Sequence, residues 1–262
     1  MTPVLVVTLV ALGFAGSFVS GLLGVGGAIV TIPLLYYVPP LLGVGSLDIK
    51  HVAGVTMAQV LAASVLGAWT HGRDAMVHRT LAVVGGSAMA AGSLVGAIGS
   101  RYASGRALLA IFAVMTTVAL PLMFVRPAEP FAASGPGLHR PFNRPAAVAF
   151  PGSIGLASGL VGAGGAFLLV PVLIAILRIP VRVTIGTSLA MTSASAAMGF
   201  IGKVSTGQVP LVPALAVVAG SLTGAPLGAK LSRRVPVTFL RLLLAAFIAA
   251  VTARVWSDVL RH

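Results

Sequence analysis

A glycine-rich stretch that occurs twice constrains this chain more than any other feature. Residues 20–35 read SGLLGVGGAIVTIPLL and residues 158–173 read SGLVGAGGAFLLVPVL, 138 positions apart and without a gap. Nine of the sixteen positions are identical, and every other pair is an apolar exchange except Thr31 against Leu169. Glycine costs roughly 1 kcal/mol relative to alanine inside a helix, so a cluster of glycines in an apolar run interrupts it. Two such interruptions at matching positions of two halves point to a binding site between the halves. They also permit close helix packing, and one cluster can serve both ends.

The repeat continues beyond the motif. Gly54-Val55-Thr56 aligns with Gly186-Thr187-Ser188 at an offset of 132, and AGSLVGA at 91–97 with AGSLTGA at 219–225 at an offset of 128. Three matched blocks in the same order imply a duplication. Apolar segments fall at about 3–23, 28–42, 53–70, 80–99 and 107–125, then at about 146–161, 166–178, 184–201, 210–229 and 237–256. Residues 126–145 hold five prolines and little that forms a core, and read as a linker. The organisation is therefore a first transmembrane repeat over 1–125, a linker over 126–145 placed in the cytoplasm, and a second transmembrane repeat over 146–262.

Charge decides the class. Only 8% of the 262 residues are charged and 58% are hydrophobic, whereas a soluble domain carries about 25% charged residues. Apolar runs of 15 to 20 residues suit helices and not the alternating strands of a barrel. The predicted fold is all-α and polytopic. With no cysteine, thiolate chemistry and cysteine-based metal sites are excluded. The net charge of +13 sits in short loops, so anionic lipids and a small anionic substrate are the expected partners, not nucleic acid. A homodimer is left open. The apolar N-terminus has no basic residue before Lys50 and is read as part of the mature chain.

Topology follows from counting Lys and Arg. If each Gly cluster is a turn, each half has five elements, and the connections divide six cations against eleven. If each cluster only breaks one spanning helix, the division is nine against eight. Cytoplasmic loops carry the excess, so the five-element reading is preferred, with both termini outside. Five is odd, so the two halves are predicted to be inverted, each opening on a Gly-tipped hairpin.

At each tip a new helix begins. A helix N-terminus presents unpaired N–H groups and a partial positive charge, which favours an anion. The candidate binding residues are Gly24, Gly26, Gly27 and Ala28 at the first tip and Gly162, Gly164, Gly165 and Ala166 at the second. Thr56, Gln59, Thr187 and Ser188, one element later, add hydroxyls and an amide that can donate to an oxyanion. Lys50, Arg178 and Arg182 are expected to attract the anion from the interface. Prolines 33 and 171 each remove a backbone hydrogen bond two turns into the new helix. All four acids, Asp48, Asp74, Glu129 and Asp258, fall in loops or at an end, so no carboxylate relay lies within a span. The histidines lie at span ends, in the linker or at the terminus, and are expected to be solvated. No nucleophile–base pair, phosphate loop or metal cluster is legible, so an enzyme, a cofactor and a metal are not expected.

The duplicated G-L-x-G-x-G-G-A followed by an apolar run to proline, Gly186-Thr187-Ser188 and the two AGSL-x-GA blocks resemble the sulfite exporter TauE/SafE family of membrane permeases. The resemblance implies a secondary transporter of a small sulfur-containing anion, such as sulfite, sulfoacetate or another organosulfonate, in the cell inner membrane. A passive anion channel of the same fold is the alternative. Alanine at 28 and 166, where many relatives have a third glycine, and Val55 opposite Thr187 depart from the family pattern.

Overall fold

The computed structural model describes residues 3–23, 27–71, 77–122, 124, 144–177, 179, 181–232 and 235–261. Every element in them is an α-helix: α1 (Pro3–Leu23), α2 (Ala28–Leu41), α3 (Ile49–His71), α4 (Arg79–Gly99), α5 (Gly105–Leu122), α6 (Arg144–Val161), α7 (Ala166–Ala175), α8 (Val181–Ser205), α9 (Leu211–Ser232) and α10 (Val237–Arg261). Stretches within five of them, α1, α4, α5, α9 and α10, are long and apolar enough to cross a membrane. A backbone without water must bond internally, which a helix achieves along its own length. The second arm of each Gly-tipped pair is short. With 14 residues in α2 and 10 in α7, these helices rise roughly 21 and 15 Å at 1.5 Å per residue, less than the hydrocarbon thickness of roughly 30 Å.

The two largest helix pairings are α1 with α9 and α4 with α6. They are the same pairing seen from each half, because α1 aligns with α6 and α4 with α9. Small residues make both. A Cβ on Gly220, Gly224 or Gly228 of α9 would overlap the carbonyl of Val10, Phe14 or Phe18 of α1. A Cβ on Gly155 or Gly159 of α6 would overlap the carbonyl of Met89 or Ser93 of α4. Backbone therefore lies on backbone, the small-residue packing that helices use where apolar solvent gives no hydrophobic drive. The AGSL-x-GA blocks are explained by this contact: Gly92 and Gly96 meet Gly152 and Leu156, as Gly220 and Gly224 meet Val10 and Phe14.

Contact order along the helices gives their directions. Val10, Phe14 and Phe18 meet 220, 224 and 228 in rising order, so α1 and α9 are parallel. Gly86, Ser93 and Ala97 of α4 meet Met191, Gly199 and Gly202, so α4 and α8 are parallel. Met57 of α3 meets Gly199, and Gly54 meets Gln208 beyond the end of α8, so α3 and α8 are antiparallel. Thr31 of α2 folds back onto Gly16 of α1, which makes the first pair a hairpin.

Helices α3 and α8 begin or end beyond their apolar stretches. α3 starts at Ile49 and α8 runs to Ser205, so Lys203, counted among loop residues from the sequence, lies inside a helix. Its side chain is fully buried.

Gly96→Leu or Gly224→Leu must force apart helices that touch through their backbones. Each is expected to destabilise the protein by at least the upper part of about 1–3 kcal/mol, seen as a lowered thermal midpoint in detergent. A leucine tolerated at both positions sinks the backbone-contact account.

Candidate functional site

The second tip is fixed by glycine conformation and by what surrounds it. Gly162 stops α6 in a left-handed conformation, φ 80°, with its N–H donating to the Ser158 carbonyl at 2.7 Å. Gly165 caps α7 at φ 77°, again left-handed, and no side chain caps the helix there. Side chains rarely adopt this conformation, and glycine does so freely. The space beside these glycines is occupied. A Cβ on Gly165 would lie 2.6 Å from Met89 Cε, and one on Gly162 would overlap the backbone of Ala53. Ala166 is half-buried at the start of α7.

The first tip is built differently. Gly24 and Gly26 lie outside the described residues. Gly27 is in the right-handed helical region, φ −46°, and leads directly into α2. Ala28 is fully buried. A Cβ on Gly27 would lie 2.9 Å from Gln59 Nε2, so the amide covers the glycine.

One turn of α3 touches both tips. Gln59 Nε2 donates to Ser17 Oγ of α1 at 2.7 Å and to Thr31 Oγ1 of α2 at 3.1 Å. Three residues earlier, Thr56 Oγ1 lies 2.9 Å from the Val52 carbonyl, 3.2 Å from that of Ala53 and 3.0 Å from that of Gly162 at the second tip. Val60 packs on Gly164. Thr56 and Gln59 are both fully buried. Thr56 was expected to donate to a ligand, but its hydroxyl is committed to backbone carbonyls and ties the second tip to α3.

The polar residues of α8 are placed elsewhere. Thr187 Oγ1 accepts from the backbone N–H of His78 at 3.0 Å, at the start of α4. Ser188 is also buried. His78 is not solvated: it is 7% exposed, and its Nδ1 accepts from Leu81 N at 3.2 Å, capping α4. Arg178 and the side chain of Arg182 lie outside the described residues. Lys50 donates to the Arg101 carbonyl at 2.8 Å.

Three features were not read from the sequence. The first is the pairing of Ser17 and Thr31 with Gln59; the signal was Thr31, the one polar-for-apolar exchange in the motif. The second is Lys203, the only Lys, Arg, Asp or Glu that is buried among the described residues. Its Nζ donates to Ser100 Oγ at 2.7 Å, the Leu160 carbonyl at 3.0 Å and Gln208 Oε1 at 3.1 Å. All three ammonium protons have partners, all neutral. Bonds from a charged donor contribute about 1.5–3 kcal/mol each, and three together offset a desolvation cost of several kcal/mol. The third is a pair of adjoining clefts of about 560 and 480 Å³ that share Tyr36, Asp48 and Arg254. Arg254 pairs with Asp258 at 3.5 Å and lies over the Tyr37 ring, 5.2 Å from its centroid.

Thr56→Val keeps the shape of the side chain and leaves the Gly162 carbonyl without that donor. The expected loss is about 1–3 kcal/mol of stability, measured by thermal unfolding in detergent, with intact transport if the role is only to fasten the tip. A stability equal to the parent's contradicts this reading of the contact.

The model of the family described as Sulfite exporter TauE/SafE matches residues 9–255. Two relatives are the "Probable membrane transporter protein" of Xylella fastidiosa (strain 9a5c), 33% identical over 88% of this chain and 85% of its own, and the "Probable membrane transporter protein YunE" of Bacillus subtilis (strain 168), 26% identical over 87% and 89%. No solved structure matches. With the match spanning nearly all of a chain built of apolar helices around two glycine tips, the protein belongs to the TauE/SafE sulfite exporter family of membrane transporters.

Proposed function

We propose that this member of the family is a secondary transporter of a small sulfur-containing anion, such as sulfite or an organosulfonate, in the inner membrane. The observation that carries the reading is the single turn of α3 that touches both helix-opening tips with buried hydrogen-bonding side chains. Short helices α2 and α7 begin at those tips, and their first N–H groups have no partner within the helix. No Asp or Glu is buried among the described residues, while one Lys is. Helix N-termini and a buried ammonium make an interior that favours negative charge.

The two halves are proposed to be inverted repeats of five elements. Parallel α4 and α8 with antiparallel α3 and α8 fit that parity, and four spans per half reverse both relations. In this arrangement the linker faces the cytoplasm, and the clefts at Tyr36 and Arg254 open outward.

Purified protein in proteoliposomes, offered sulfite, sulfoacetate, taurine and thiosulfate, is expected to move at least one sulfur anion and to accumulate it when a pH gradient is imposed. Flux that never exceeds equilibration supports a channel instead. Absence of flux for every anion defeats the proposal.

A cysteine introduced as Ser134→Cys in the linker is expected to react with an impermeant thiol reagent only from the cytoplasmic side. Labelling from the outside overturns the orientation.

A further inference from the structure

The two tips differ in three side chains that the repeat relates. Ser17, Thr31 and Gln59 surround the first tip, where the repeat offsets put Gly155, Leu169 and Met191 in the second half. All three polar residues are buried, Thr31 and Gln59 completely. The Thr31 hydroxyl donates to the Gly27 carbonyl at 3.0 Å, so its oxygen is left to accept. That assigns the Gln59 amide: its nitrogen faces Thr31 and Ser17, and Oε1 is the other end. Oε1 is buried and has no hydrogen-bond partner. Buried polar atoms are almost always paired, and an orphan needs a physical explanation. An unpaired acceptor beside a helix N-terminus calls for a ligand that donates a hydrogen bond as well as carrying negative charge.

We infer that the Ser17–Thr31–Gln59 cluster at the start of α2 is the anion-recognition site, and that it selects an oxyanion carrying an acidic O–H. The inference rests on the anion-transport reading above and names its substrate's protonation state. The first N–H groups of α2 face the charged oxygens. The O–H of the substrate donates to Gln59 Oε1. A fully deprotonated oxyanion presents only lone pairs to that oxygen and is repelled. The proton then travels on the substrate, which suits a chain with no buried Asp or Glu among its described residues. The second tip lacks this chemistry, since Leu169 and Met191 offer no donor comparable to an amide. α2 also links the cluster to the cleft, because Tyr36 lies five residues beyond Thr31 on the same helix, roughly 7.5 Å of rise.

The test is equilibrium binding of sulfite and of methanesulfonate to the full chain in detergent, at constant ionic strength across neutral pH. Sulfite changes protonation state in that range and methanesulfonate does not. Sulfite affinity is expected to fall by about tenfold per pH unit on the alkaline side, and methanesulfonate binding to be weaker and flat. Gln59→Met, which installs the residue of the second half, is expected to lose about ten- to hundredfold in sulfite affinity at acidic pH and to flatten the profile. Should that variant elute as misfolded protein, Thr31→Leu supplies the same comparison. Sulfite binding that is flat or prefers the dianion overturns the inference, as does an unchanged profile in the folded variant. If the parent binds neither anion, the transport reading falls with it.

Discussion

Backbone contact between α1 and α9, and between α4 and α6, governs where everything else can lie. Glycines at 155, 159, 220, 224 and 228 remove the side chains that would hold these helices apart. Each contact joins one half to the other, so neither half closes its own bundle. The crossed pairing then leaves α3 and α8 to cross antiparallel between the halves, and α3 reaches both tips in one turn. Thr56 holds the second tip through the Gly162 carbonyl, and Gln59 covers Gly27 at the first. The position of the polar cluster is thus a consequence of small residues in helices that carry no functional group.

Much of this was written in the sequence, because glycine spacing and hydropathy report on packing in one dimension. The ten segments and both tips were visible in that way. α3 and α8 were misjudged at their ends for a physical reason. Hydropathy marks where apolar residues stop, whereas a helix stops where its backbone bonds are satisfied otherwise. α8 continues through Lys203 because Ser100, the Leu160 carbonyl and Gln208 accept its ammonium protons, and the first two of those partners come from distant segments. The same distance hid the role of Thr56. A hydroxyl in an apolar run can face a ligand or a carbonyl, and only the fold brings Gly162 within 3.0 Å. His78 likewise sits at the end of an apolar run, yet it is buried because it caps α4 and meets Thr187.

Lys203 and the tip cluster obey one rule with opposite results. Around Lys203 each ammonium proton has an acceptor, and the charge is held without a carboxylate. Around Gln59 the count fails by one, since the nitrogen has two acceptors and the oxygen has no donor. In a low-dielectric interior a satisfied polar network rigidifies, and an unsatisfied one is costly. The contrast separates a structural polar group from one that awaits a partner. It also bears on the symmetry of the fold. The duplicated backbone supplies two helix-opening tips, but Met89 of α4 packs beside Gly165 at the second, while Ser17, Thr31 and Gln59 surround the first. The chain therefore keeps a matched pair of helix contacts for packing, while the orphaned amide oxygen of Gln59 stands beside the first tip.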